Sequence, residues 1–159
     1  MKRMLVPLEE FRCDTCGDII ESPKTAYLEW NSVKDENGKL RATNFKIVHH
    51  DPANNVVCSE NGTSTTSLEK YVGSEGSGNL WSFIDEGEIV APNYTGPRAL
   101  NLREFTEVAR RLSMPHYEEA RDFLHMAESD GYISSNQYGI YSVDKLQFII
   151  EKYGADFED

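Results

Sequence analysis

This sequence predicts an α+β fold, with a β-rich part over residues 1–97 and an α-rich part over residues 98–159. Three observations lead there. Residues 26–50 carry strand-type residues on both sides of an Asn-Gly turn. Beyond Asn101, apolar residues recur at helical spacing. Three cysteines and two adjacent histidines lie in the first 58 residues, where apolar content is thin, and a metal staple there compensates for a small core.

The elements follow in order. Thr25 to Trp30 reads as a strand, and Asp35-Glu36-Asn37-Gly38 as a turn in which Asn-Gly suits positive φ. Leu40 to His50 is the return strand, placing Phe45, Ile47 and His49 on one face and Val48 and His50 on the other. Ser67 caps a short helix through Tyr71-Val72, stopped by Gly73, and Ser74-Glu75-Gly76-Ser77-Gly78 reads as a flexible linker. Asn79 then caps a helix over Leu80–Ile84. Glu88 to Pro92 is a short strand, and Asn93-Tyr94-Thr95-Gly96-Pro97 marks the boundary between the parts.

In the second part, Asn101 is the N-cap of a helix carrying Leu102, Phe105, Val108, Ala109 and Leu112, with Glu104 in the capping-box position. Pro115 ends it and opens a second helix with Tyr117, Ala120, Phe123, Leu124 and Ala127 on one stripe. Tyr132 to Tyr141 reads as a small hairpin. Ser142 caps a last helix bearing Val143, Leu146, Ile149, Ile150 and Tyr153.

Composition narrows the function. Of 159 residues, 39% are hydrophobic, and 16 Lys/Arg stand against 27 Asp/Glu for a net charge of −11. Residues 1–97 hold nine cations against fifteen carboxylates, and 98–159 hold seven against twelve, so both parts are acidic overall. Non-specific nucleic-acid binding is therefore disfavoured. Arg103, Arg110, Arg111 and Arg121 form the one candidate basic strip, and solvated helix faces account for them. No apolar run reaches the length of a membrane span. Met1 to Leu8 is too short an apolar run for a signal peptide and meets Glu9-Glu10 at once. The expectation is a soluble, cytoplasmic protein, in which the sequons at Asn61 and Asn93 are ordinary loop chemistry. The adjacent carboxylates Glu9-Glu10, Asp85-Glu86 and Glu118-Glu119 point apart on a helix and read as solvated faces. No phosphate loop, nucleophile elbow or dinucleotide fingerprint is present.

Three cysteines cannot close a disulfide framework. Cys13 and Cys16 are two residues apart, followed by Gly17, which permits the positive φ of a tight knuckle. A thioredoxin-type role wants a helix after the pair, and Pro23 stops one at once. Cys58 and either His49 or His50 complete a closed set of three thiolates and one imidazole. That donor set suits a structural zinc ion with no open position for water.

The Cys13-x-x-Cys16-Gly17 start resembles the knuckle of zinc-ribbon and treble-clef proteins over about residues 11–60. The run Val48-His49-His50-Asp51-Pro52-Ala53-Asn54-Asn55 resembles part of an HNH-type nuclease motif. That resemblance implies His49 assisting a metal, His50 activating water, and Asn54 or Asn55 orienting the base. A second Cys-x-x-Cys and the closing histidine are missing; His116 and His125 lie in the helical part. Residues 107–141 resemble a winged helix, with Ser113 in the turn and the 132–141 hairpin as the wing. Its recognition helix would carry Glu118, Glu119 and Asp122 against Arg121 alone, which opposes phosphate contact. The reading favoured is a non-enzymatic adaptor or regulator that binds another protein, its shape held by zinc. An HNH-like nuclease and a DNA-binding regulator are the alternatives.

Overall fold

A computed structural model describes residues 3–60 and 63–154; Asn61 and Gly62 of the first sequon lie outside the described residues, as do Met1 and Lys2 of the amino-terminal run. The fold is mixed α+β, with two antiparallel sheets and five helices among the described residues. Strands β1 (Phe11–Arg12) and β2 (Ile19–Ile20) form the smaller sheet. The larger sheet has the order β5-β4-β3-β6, from β3 (Ala26–Lys34), β4 (Leu40–Asp51), β5 (Val56–Val57) and β6 (Ser64–Ser67).

The expected hairpin forms its centre. Gly38 has φ 76°, and its N–H donates to the Asp35 carbonyl at 2.9 Å. The ladder pairs Ala26 with His49 and Lys34 with Leu40, and its register shifts between Glu29 and Asn31. Opposite that shift, Asn44 sits at φ 57°, a left-handed position that asparagine tolerates better than most residues. Ile47, Val48 and His49 are all buried, so both faces of β4 are covered there although its side chains still alternate between them.

Helix α1 (Gly73–Trp81) contradicts the linker expected at 74–78. Its composition is poor for a helix, and packing decides instead. Gly76 lies against the Tyr71 backbone so closely that a Cβ would sit 2.2 Å from the Tyr71 carbonyl carbon. Asn79 is inside the helix rather than its cap, and its side-chain amide donates to the Lys70 carbonyl at 2.7 Å. Leu68–Lys70 forms only a 3-10 turn. Glu88 to Pro92 is a turn and not a strand: the N–H groups of Val90 and Ala91 both donate to the Gly87 carbonyl.

Helix α2 (Leu102–Ser113) starts at the expected cap, the Asn101 side chain accepting from the N–H groups of Arg103 and Glu104. Glu104 does not close a capping box. Its carboxylate accepts from Thr43 Oγ1 at 2.9 Å and the Asn44 N–H at 3.1 Å, tying α2 to the bulged part of β4. The expected second helix is broken into α3 (Tyr117–Ala120), a 3-10 turn and α4 (Leu124–Ser129). Residues 132–141 form turns, with no strand among them, so the expected wing is not built. Helix α5 (Val143–Gly154) closes the described chain.

Two apolar clusters result. The first joins Phe11, Ile20, Leu28, Trp30, Ile47 and Phe83 to Phe105, Val108 and Leu112 of α2. The second gathers Tyr117, Ala120, Phe123, Ala127, Leu146, Ile149, Ile150 and Tyr153. The division falls between Leu112 and Tyr117, so α2 serves the first core although it lies beyond residue 97.

Candidate metal centre

The turn between β1 and β2 builds one half of the centre. Gly17, at φ 81°, lets the chain reverse, with its N–H on the Cys13 carbonyl at 2.9 Å and the Cys13 N–H on the Asp18 carbonyl at 3.0 Å. Strand β4 and the chain after β5 supply the other half. The Cys58 N–H donates to the His49 carbonyl at 3.0 Å, which brings residue 58 beside residue 49. The turn itself is docked on β4: the Asp14 N–H donates to the Ile47 carbonyl at 2.8 Å, and the Ile47 N–H donates to Asp14 Oδ2 at 2.7 Å.

These ties gather Cys13, Cys16, His49 and Cys58. One ligand atom from each lies within 4.8 Å of all the others, so the four can hold a metal ion. Cys16 Sγ is 3.4 Å from His49 Nδ1. On the far side of the ring, His49 Nε2 is 3.2 Å from the Ile19 carbonyl. An Nε2–H donated there leaves the Nδ1 lone pair facing the sulfurs, the outer contact that fixes a ligating histidine's tautomer.

His50 is elsewhere. Its ring stacks on Tyr27 with centroids 3.8 Å apart and planes 13° from parallel. The alternation of β4 thus decides between the two histidines: His49 faces the knuckle and His50 the opposite side. His116 is engaged with Gln147, and His125 lies near Glu128.

The sulfurs are electrostatically unequal. Burial pushes the Cys13 thiol up, yet backbone N–H groups of Cys16, His49 and Thr15, with the His49 ring, outweigh it and hold it down at about 6. Burial pushes the Cys58 thiol up, and the neighbouring Cys16 and Cys13 sulfurs raise it further, to about 12. Three thiolates this close repel one another, and a cation among them removes that penalty.

Behind the knuckle lies a buried ion network that sequence patterning did not reveal. Arg111, read above as part of a solvated strip, is 3% exposed. Its Nε and Nη2 donate to the two Glu118 oxygens at 2.6 and 2.9 Å, and its Nη1 donates to both Asp14 oxygens at 2.9 and 2.8 Å. Nη2 also reaches the Arg12 carbonyl at 3.1 Å, and Glu118 Oε1 accepts the Arg12 N–H at 2.9 Å. Glu118 is therefore a buried partner and not a solvated face. The neighbouring Glu119 accepts the Leu5 N–H at 2.9 Å, and Asp122 lies 3.5 Å from Arg12 Nε. The start of α3 is thereby bound to the N-terminal segment. Of the other expected strip members, Arg121 pairs with Glu107 at 2.9 Å, and Arg110 lies 4.6 Å over the Tyr141 ring.

The asparagines of the HNH-like run serve the turn they stand in. Asn54 Nδ2 donates to Asp51 Oδ2 at 2.8 Å, and Asn55 takes the left-handed cap at φ 57°. The chain matches no protein-family model, no curated protein and no solved structure. Among the described residues, no helix is long and apolar enough to cross a membrane.

Proposed function

We propose that Cys13, Cys16, His49 and Cys58 hold a single zinc ion as a structural clasp, and that the chain is a non-enzymatic adaptor or regulator working through contact with another protein. One observation carries this reading: four protein donors converge, and the imidazole's remaining nitrogen is already engaged by the Ile19 carbonyl. Three soft thiolates and an imidazole favour zinc over hard, oxygen-seeking cations. Bonds of about 2.3 Å to sulfur place tetrahedral ligands about 3.8 Å apart. The four donor atoms all lie within 4.8 Å of one another, and Cys16 Sγ is 3.4 Å from His49 Nδ1. A filled set of this kind leaves no position for an attacking water. It supports a role in holding shape, with surfaces elsewhere making contact.

Metal analysis of the purified chain and of three variants tests the proposal. One zinc per chain is expected in the parent and in His50→Ala, with loss of zinc and of the folded circular-dichroism spectrum in Cys13→Ser and His49→Ala. Magnesium- or manganese-dependent DNA cleavage that His50→Ala abolishes without unfolding the chain would overturn it in favour of a nuclease.

A further inference from the structure

The segment after α1 lifts two β-branched apolar residues into solvent. Ile89 is 99% exposed and Val90 72%. The loop is nonetheless held. The Gly87 N–H donates to Asp85 Oδ1 at 2.8 Å, the Ala91 N–H to the Gly87 carbonyl at 2.8 Å, and Arg41 Nη2 to the Thr95 carbonyl at 3.0 Å. Asp85, Glu86 and Glu88 lead into the two apolar residues, and residues 85–97 contain no lysine or arginine. This is an ordered acidic loop with an apolar tip.

A complementary receptor stands on the same chain. Between α1 and α2 lies a cleft of about 250 Å³ whose apolar walls include Leu80, Trp81, Phe105, Ala109 and Met114. Trp81 is 62% exposed. The lining includes one charged side chain, Arg110, and no carboxylate, in a chain of net charge −11. The Tyr141 ring holds that guanidinium in place. The loop leaves directly from the wall of the cleft, since the N–H groups of Ile84 and Asp85 both donate to the Trp81 carbonyl at 2.8 and 2.9 Å.

We propose that the cleft receives the Ile89-Val90 tip of a second copy of this chain, with Glu88 of each copy facing Arg110 of the other. Size, apolarity and charge agree: two branched side chains fill a small apolar cleft, and the acidic flank meets its lone cation. Because the loop carrying the tip starts at the cleft wall, a two-fold axis beside Trp81 allows both exchanges at once and closes the assembly as a dimer. This inference goes beyond the metal reading and does not depend on it.

Sedimentation velocity on the full chain over a concentration series provides the test. The parent is expected to reach twice its 18.1 kDa mass. Ile89→Asp and Arg110→Glu are each expected to raise the dimer dissociation constant at least about ten-fold. Ile89 is fully solvated, so an unchanged circular-dichroism spectrum separates lost association from lost fold. The combined Glu88→Arg and Arg110→Glu variant is expected to return to within about three-fold of the parent. A parent that stays monomeric, a dimer indifferent to Ile89→Asp, or a charge exchange that restores nothing overturns the proposal.

Discussion

Replacing Arg111 by methionine removes the cation on which the knuckle and the helical segment converge. Methionine keeps much of the side-chain volume, so the effect reports charge and hydrogen bonding rather than a cavity. Five donor–acceptor contacts are lost, two to Glu118, two to Asp14 and one to the Arg12 carbonyl. The Glu118 side chain is 7% exposed and is left as an uncompensated buried carboxylate, whereas Asp14, at 24%, regains some water. Burial opposes the charge on Arg111, but Glu118 and Asp14 overcome it and hold the guanidinium protonated more firmly than in water. Removing one partner from such a pair costs about 3–5 kcal/mol. With a urea slope near 2 kcal/mol/M, the unfolding midpoint falls by about 1.5–2.5 M. Adding Glu118→Leu to Arg111→Met recovers part of that loss, because the stranded charge is gone. Urea titrations of both variants, followed by far-ultraviolet circular dichroism, measure this. A midpoint drop below about 0.3 M for Arg111→Met would refute the reasoning, since only a solvated arginine is lost that cheaply.

Other expectations concern α1 and the last helix. Gly76→Ala forces a Cβ onto the Tyr71 backbone, which cannot yield as a side chain would, and lowers stability by about 2–4 kcal/mol. Gly78→Ala meets open space in the same helix and raises stability by about 0.5–1 kcal/mol; thermal melts of the pair show opposite shifts. Tyr153 donates its hydroxyl to Asp130 at 2.6 Å, and burial together with that carboxylate pushes its ionisation up to about 12. An acid whose folded value is raised contributes stability that is fully present below the unfolded tyrosine range near 10 and is lost as pH rises through about 12. Absorbance titration near the tyrosinate band is expected to show this late-ionising group, and Tyr153→Phe to remove it.

The hairpin at 26–50 was legible because its cues are local: alternation, β-type residues and an Asn-Gly turn. Asn101 and Ser142 marked their helix starts for the same reason. The fate of residues 74–78 was not legible, since α1 is held by burying Leu80 in the core shared with Phe105 and Val108 of α2, and helix propensity carries nothing of that packing. The helix expected after Pro115 runs longer than the one formed, because its apolar stripe continues through a stretch where the backbone tightens into a 3-10 turn. At the candidate centre, residue types and knuckle spacing named five donors, and the choice of His49 over His50 waited on which face of β4 meets the turn. Arg111 looks solvated in the sequence for a physical reason. Its partners Asp14 and Glu118 belong to other elements, one of them 97 positions away, and a dibasic pair on an amphipathic helix looks the same whether it meets solvent or buried carboxylates.

The central claim is a closed ligand set on one ion, and X-ray absorption at the zinc edge of the purified chain tests it most directly. The account predicts a first shell of three sulfurs near 2.3 Å and one nitrogen near 2.0 Å, with no water oxygen. The shell is unchanged in His50→Ala and degraded in His49→Ala. A shell containing solvent oxygen, or one that changes with His50 and not with His49, would contradict it.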